Sequence, residues 1–117
     1  MKTNKEYLYD LKNSIDKIII YTSNNSFEEF KNSELVQDAV IRRFDVISEA
    51  CFKLSDELKY KIDFIPWERI IDIKKKLLND DFEINVSKVW EIVKEDLPIL
   101  RDDIDKVVVA LNQNILR

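Results

Sequence analysis

The side chains most suited to chemistry lie between positions 67 and 85 of the chain. Three consecutive lysines, Lys74, Lys75 and Lys76, are followed closely by Asn79. Ammonium groups in such a run could bind the phosphates of a nucleic acid backbone, although lysine runs are also common on solvated helix faces. The run therefore indicates a candidate phosphate-binding segment, with a solvated face as the alternative for Lys75 and Lys76.

Acidic residues follow the lysines, at Asp80, Asp81 and Glu83. Their oxygens could bind a hard cation, but acidic clusters near helix ends are more often solvated or capping, so we expect no metal. If one helix carries Lys74 and Asp81, the two lie about 10 Å apart along its axis, and a bend would let them form an ion pair. Lys74 also interrupts an apolar stripe, so we expect it to face a cleft or an interface between two copies.

The composition excludes several classes of site. The 117 residues include no glycine and no histidine. Without glycine, the chain has neither a phosphate-binding P-loop nor a dinucleotide-binding fingerprint. Without histidine, it lacks Ser-His triads and the usual proton acceptor at neutral pH. We therefore expect no cofactor, and a fold poor in the tight turns that glycine supplies.

Charge and cysteine content bear on partners and on the cellular compartment. The formal net charge is −4, so any contact with nucleic acid must come from a local basic patch and not from the whole surface. The single cysteine, Cys51, suits a reducing compartment. No apolar run approaches the ~18 residues of a membrane span. We therefore expect one cytoplasmic domain over residues 1–117.

Apolar residues recur at helical spacing through most of the chain and predict an all-α fold. We expect four main helices and one short helix. The short helix follows a capping box at Ser26 and Glu29, and Pro98 is expected to kink or restart the last main helix. The main helices are predicted at about 5–22, from 32 or 33 to about 58, from Pro66 to about 80, and from Asn85 along an apolar stripe that ends at Ile115.

Two polar or reactive side chains lie on the apolar stripe of the third predicted helix. Cys51 is expected to be a packed core thiol and not a reactive one. Arg43, between Val40 and Ile47, lies where a solvated arginine is unusual. It could extend its charge past the edge of the core, or it could contact phosphate or a protein partner. We include it among the candidate RNA-binding residues.

Several segments, in order along the chain, are similar to one known family. They are YLYDL at 7–11, SELVQDAVIRR at 33–43, ISEA at 47–50, WERIIDIKKKLLNDDFEIN at 67–85 and VWEIV at 89–93. Together they resemble HepT-like toxins, which are small helical ribonucleases of the HEPN group. The second residue of ISEA, Ser48, stands where that family has glycine. The resemblance covers roughly residues 7–104 and is far more specific than any one motif.

The resemblance implies an up-and-down helical bundle of HEPN type that forms a homodimer, with the active-site segments of two protomers facing a common cleft. It also implies a partner, an MNT nucleotidyltransferase antitoxin, which in the family transfers nucleotide to a tyrosine of the toxin. In the family motif an arginine and a histidine carry the chemistry, and the tyrosine lies two residues beyond. Lys74, Asn79 and Asp81 occupy these three positions here.

These replacements lead to alternative functional hypotheses. Metal-independent RNA cleavage needs a group that accepts the 2′-hydroxyl proton, which the amide of Asn79 cannot do, and Lys74 lacks the two-point grip of arginine on phosphate. The leading hypothesis is a dimeric binding or regulatory subunit with lost or weakened ribonuclease activity. The alternative is an active toxin that uses Lys74 or Lys76 for phosphate and an outside group as base. A nucleotide-binding accessory domain is a third hypothesis.

Overall fold

The structure is a computed structural model that describes residues 2–113, and it is all-α, as predicted. Met1 and residues 114–117, which include Ile115 of the predicted apolar stripe, lie outside the described part. The helices are α1 (Asn4–Thr22), α2 (Phe27–Lys31), α3 (Glu34–Lys53), α4 (Asp56–Lys61), α5 (Trp67–Ile71), α6 (Lys74–Leu77), α7 (Val86–Glu91) and α8 (Leu97–Asn112), with a π-helical segment at Ile92–Asp96 between the last two.

Polar caps fix where several helices begin. The predicted capping box of α2 is confirmed, because Ser26 Oγ accepts from the Glu29 backbone and the Glu29 side chain accepts from the Ser26 N–H. Ser33 caps α3 by accepting from the N–H of Val36, and Asn85 caps α7 by accepting from the N–H of Lys88. Each cap satisfies an N–H group that has no partner inside its own helix. The predicted starting points of these helices are therefore confirmed.

The third predicted helix was too long. It ends at Lys53, and Leu58 belongs to the separate helix α4, which Ser55 caps. The Asn4 side chain holds this corner, since its Nδ2 donates to Ser55 Oγ and its Oδ1 accepts from the Ser55 N–H, each at 3.0 Å. The helical spacing of apolar residues continues through this corner, but the hydrogen bonds of Asn4 with Ser55 stabilise a break between α3 and α4.

The last predicted helix is continuous but not uniform. Its middle is the π-helical segment, in which the N–H of Leu97 bonds to the carbonyl of Ile92. Proline has no N–H, and its ring clashes with the carbonyl four residues earlier. The wider turn ahead of Pro98 accommodates that ring, and Pro98 lies in the first turn of α8. The prediction that Pro98 disturbs the helix is confirmed.

The π-helical segment also closes the end of α1. Lys94 Nζ donates to the carbonyl of Thr22 over 3.2 Å and lies 4.6 Å from the centroid of the Trp90 ring. The last turn of α1 carries no basic residue of its own. Lys94 therefore supplies the positive charge that favours a helix C-terminus, and Trp90 in turn packs on Phe30 of α2 at 5.2 Å.

One apolar core runs through the molecule, with α1 packed on α3 and α8 packed on α1. Cys51 is fully buried in this core, and its burial raises the pKa of the thiol to about 12. The prediction of a packed thiol is confirmed. None of the helices within residues 2–113 is long and apolar enough to cross a membrane. The core residues of the three long helices are Leu8, Leu11, Ile15 and Ile18 of α1, Val40, Phe44, Ile47, Ala50 and Cys51 of α3, and Leu97, Ile104, Val107 and Val108 of α8.

Gln37 fixes the corner between α2 and α3, and a substitution tests its contribution. Its side chain is 7% exposed, and Nε2 donates to the carbonyls of Phe30 and Lys31, each at 2.9 Å. We expect Gln37→Met, which keeps the size but removes the donor, to lower the free energy of unfolding by about 2 kcal/mol. Urea unfolding measures the change. Gln113→Met is the control, because Gln113 is exposed, and a comparable loss in the control would contradict this role.

The buried thiol gives a second prediction. With a pKa near 12, about one native thiol in ten thousand is ionised at pH 8. Cys51 should therefore resist a thiol-specific reagent in the native protein and react quickly after unfolding in urea. The unfolded thiol ionises at its ordinary value of 9.0, so the thiol's contribution to stability is complete below pH 9 and falls as the pH rises toward 12. Rapid labelling of folded protein would contradict the burial.

Candidate functional site

The segment that carries the lysines is broken where one continuous helix was predicted. Ser48 Oγ donates to the carbonyl of Ile71 over 2.6 Å. In an unbroken α-helix that carbonyl would accept from the N–H of Lys75, four residues on. The N–H of Lys75 instead bonds to the carbonyl of Asp72 at 3.1 Å. The chain therefore divides into α5 and α6, and the prediction of one helix from Pro66 to about 80 is wrong.

Lys74, at the start of α6, pairs with α3. Its Nζ lies 2.8 Å from Oδ1 of Asp45, and the two side chains are 50% and 31% exposed. An ion pair this exposed contributes little to stability, but it draws the ammonium group toward α3. The ion pair between Lys74 and Asp81 that a bend would have allowed does not form within the chain, because α6 ends at Leu77 and the two residues share no helix.

Asn79 and Asp81 lie in a tight loop that follows α6. Leu78 and Ile84 form an isolated antiparallel bridge. Inside the loop, the N–H of Asn79 bonds to the carbonyl of Glu83 at 2.7 Å, and Asp81 Oδ1 accepts from the N–H of Glu83 at 3.2 Å. The backbone is therefore closed on itself, and the side chain of Asn79 is exposed and makes no hydrogen bond within residues 2–113.

An open surface groove of about 670 Å³ runs between α6, the loop and α7, and we call it the lysine groove. It is lined by Lys75, Lys76, Leu78, Asn79, Asp80, Asp81, Asn85 and Lys88. The structure thus brings together four of the predicted site residues, namely Lys75, Lys76, Asn79 and Asp81. Lys74 and the half-buried Arg43 do not line this groove.

The lysines that line the lysine groove differ in whether they already form ion pairs with acidic side chains. Lys75 lies 3.8 Å from Asp72, and Lys88 lies 3.5 Å from Glu91. Lys76 forms no ion pair in the described part of the chain. Lys76 is therefore the lysine best placed to donate to a phosphate oxygen from outside the chain.

The sequence interpretation missed three residues of the site, Asp45, Ser48 and Lys88. Asp45 and Ser48 are three apart on α3, next to buried Phe44 and Ile47, which places them on one face beside the core. That spacing could have pointed to a contact with another element. Which element it would be depends on the tertiary fold, so no local pattern gives it.

The arrangement defines what chemistry the candidate site can perform. No group of three histidine, cysteine, aspartate or glutamate side chains converges as a metal site within residues 2–113. The lysines can hold an anion, whereas the amide of Asn79 can donate or accept a hydrogen bond but cannot take up a proton at neutral pH. The groove is thus equipped to bind a phosphate backbone and has no group of histidine type for proton transfer.

The protein is thus an all-α bundle with a lysine-lined groove beside a tight loop. Residues 11–107 match the family described as Ribonuclease HepT-like. The chain belongs to this family. No solved structure is significantly similar to it.

Individual relatives agree with the family match. A gamma-glutamylcyclotransferase and candidate RNase of Methanocaldococcus jannaschii is 35% identical over 97% of this chain, which spans 51% of that protein's length. A second candidate RNase of that organism is 32% identical, over 89% of this chain and 86% of its own length. The probable ribonuclease HepT of Thermococcus cleftensis is 32% identical, over 91% of this chain and 96% of its own length.

The loop of the candidate site carries a strained residue at its tip. Phe82 has a φ angle of +67° and is 83% exposed, in a chain that has no glycine. A bulky residue in the left-handed region costs about 1–2 kcal/mol, and asparagine tolerates this region better. The strain is therefore held in place by the hydrogen bonds that close the loop.

We expect Phe82→Asn to raise the free energy of unfolding by about 0.5–1 kcal/mol. The exposed ring contributes little burial, so the relief of backbone strain should decide the sign. Denaturant unfolding provides the measurement. Phe64→Asn is a matched control, since Phe64 is 58% exposed but has an ordinary negative φ. A decrease in stability at position 82, or an equal increase at position 64, would contradict the strained conformation.

Proposed function

We propose that this protein is a HepT-like subunit that binds RNA and has lost or weakened ribonuclease activity. The family is that of HepT-like ribonucleases, and the lysine groove keeps cations beside the family's active-site positions. In this proposal Lys75 and Lys76 hold the phosphate backbone. Lys74, paired with Asp45, adds positive charge at the start of α6.

The observation that carries the proposal is the exposed amide at position 79. Cleavage through the 2′-hydroxyl needs a proton acceptor with a pKa near neutrality, and asparagine has none. The acidic side chains among the described residues that line the groove are Asp80 and Asp81, and both are exposed carboxylates. A solvated carboxylate is a much weaker base than an imidazole.

We further propose that the protein works as a homodimer in a toxin–antitoxin pair, with an MNT-type nucleotidyltransferase as its partner. The support is the chain's membership of the HepT-like family and the resemblance of residues 7–104 to HepT-like toxins. Asp81 stands where the family tyrosine is modified, and a carboxylate offers no phenol to a nucleotide donor. The partner would therefore recognise this subunit without modifying that position. We expect a cytoplasmic location.

Restoring the family residues tests the proposal directly. We expect Lys74→Arg, Asn79→His and Asp81→Tyr, combined in one variant, to cleave single-stranded RNA and tRNA in the presence of a chelator. Its single-turnover rate should exceed that of the unchanged protein by about 10²–10⁴, the usual contribution of a general base. The rate should also rise through a pKa near 6.5, the ordinary value for histidine.

The matched control combines Asn79→Gln with the same Lys74→Arg and Asp81→Tyr substitutions. Glutamine fills similar space but transfers no proton, so this variant should be as inactive as the unchanged protein. Efficient cleavage by the unchanged protein, abolished by Lys74→Ala or Asn79→Ala, would contradict the proposal and favour an active toxin with non-standard residues. Inactivity of the restored variant would show that the groove is not built for RNA cleavage at all.

A further inference from the structure

The loop that follows α6 places an aromatic residue, Phe82, next to the lysine groove. Asp81, which precedes it, lines the groove, and the two Cα atoms are about 3.8 Å apart across a trans peptide bond. The N–H of Phe82 bonds to the carbonyl of Asn79 at 2.9 Å, and Asn79 also lines the groove. Phe82 therefore has a fixed backbone position at the edge of the groove, and it is 83% exposed.

The fold itself gains little from an aromatic residue at this position. Within residues 2–113, Phe82 belongs neither to the apolar core nor to the residues packed against it, and its ring contacts no other aromatic ring. Its positive φ angle adds a cost that asparagine would largely avoid. Residues held in such conformations cluster at functional sites. A bulky ring that is strained and yet unburied indicates a contact with a molecule outside the chain.

The charges that line the lysine groove leave room for a second source of affinity. Three lysines are set against two aspartates, and two of the three lysines already form ion pairs within the chain. The attraction of the groove for phosphate is therefore weaker than three free ammonium groups would give. Stacking of a base on an aromatic ring adds affinity that does not depend on net charge, and every base has a face that can stack.

We propose that Phe82 is a platform on which an unpaired base of the bound RNA stacks while the lysines of the groove hold the neighbouring phosphates. Single-stranded RNA is the class of ligand that fits, because the bases of a duplex are stacked on each other and leave no free face for the ring. This inference deepens the proposed function and rests on it. The lysines attract any phosphate chain, whereas the ring favours a chain with an exposed base.

The first test removes the flat face of the ring. Phe82→Leu keeps an apolar side chain with a Cβ atom, and it should raise the dissociation constant for a short labelled single-stranded RNA by about tenfold. Fluorescence anisotropy measures the change. Phe82→Trp, which keeps an aromatic face, should bind at least as tightly as the unchanged protein. Phe64→Leu is the matched control and should have no effect, since Phe64 is 58% exposed and does not line the groove.

The salt dependence of binding separates loss of stacking from damage to the phosphate site. Phe82→Leu should weaken binding by the same factor at every salt concentration, so the slope of log affinity against log salt should not change. Lys76→Ala removes a phosphate contact and should make that slope shallower by about 0.7. A general disturbance of the groove by Phe82→Leu would also make the slope shallower, and that result would contradict stacking.

Two further comparisons test whether the ring contacts a base. Inorganic polyphosphate carries the charge of a nucleic acid backbone but has no bases, and a blunt RNA duplex has no unpaired base. Phe82→Leu should bind both of these ligands as the unchanged protein does. Phe82→Asn, which we expect to be more stable than the unchanged protein, should lose as much affinity for single-stranded RNA as Phe82→Leu. Weaker binding by a more stable variant would exclude unfolding as the cause.

The outcomes distinguish this inference from the proposed function. If the unchanged protein binds RNA and Lys76→Ala weakens that binding while Phe82→Leu does not, the proposed function stands and the stacking platform is overturned. An equal loss of affinity for polyphosphate would also overturn it. So would a change of sedimentation coefficient in Phe82→Leu, since the ring would then pack against another protein molecule. If the unchanged protein binds no RNA even at low salt, the proposed function fails and the inference fails with it.

Discussion

The position of α6 depends on a hydrogen bond that α3 makes with the backbone at Ile71, and an exposed ion pair with Lys74 adds a weaker contact. Ser48 Oγ donates a hydrogen bond to the carbonyl of Ile71, and Asp45 forms an ion pair with the ammonium group of Lys74. The hydrogen bond interrupts the helix, and the exposed ion pair draws Lys74 toward α3 without adding much stability. The tight loop and the lysine groove begin at the end of α6. The chemistry available at positions 75–88 is therefore a consequence of which side chains α3 presents.

The sequence predicted those parts of the fold that depend on nearby residues. The caps at Ser26, Ser33 and Asn85, and the disturbance at Pro98, follow from hydrogen-bonding groups a few positions apart. The breaks at Ser55 and Ile71 did not follow, because Asn4 and Ser48 supply their partners from distant parts of the chain. At the site, the grouping of Lys75, Lys76, Asn79 and Asp81 was predicted from their proximity along the chain. The pairing of Lys74 with Asp45 was not predicted, because the choice between Asp45 and Asp81 depends on where α6 ends.

In the proposed function, the lysine groove keeps the family frame while its reactivity changes. A cation near phosphate needs only a side chain of the right charge, so Lys75, Lys76 and Lys88 can supply binding on an otherwise acidic protein. Proton transfer is more demanding, because it needs a group whose pKa lies near the working pH and whose position is fixed. The amide at position 79 meets neither condition, since it does not titrate and its side chain makes no hydrogen bond within residues 2–113. Binding and catalysis are thus separable at this site.

The most direct measurement of that separation follows one labelled single-stranded RNA with the unchanged, metal-stripped protein in a chelating buffer. Fluorescence anisotropy reports binding, and a denaturing gel of the same samples reports cleavage. Our account predicts that anisotropy rises with protein concentration, that the rise weakens with added salt as phosphate contacts require, and that the RNA stays intact. Turnover of that RNA, lost when Asn79 is replaced by alanine, would contradict the account.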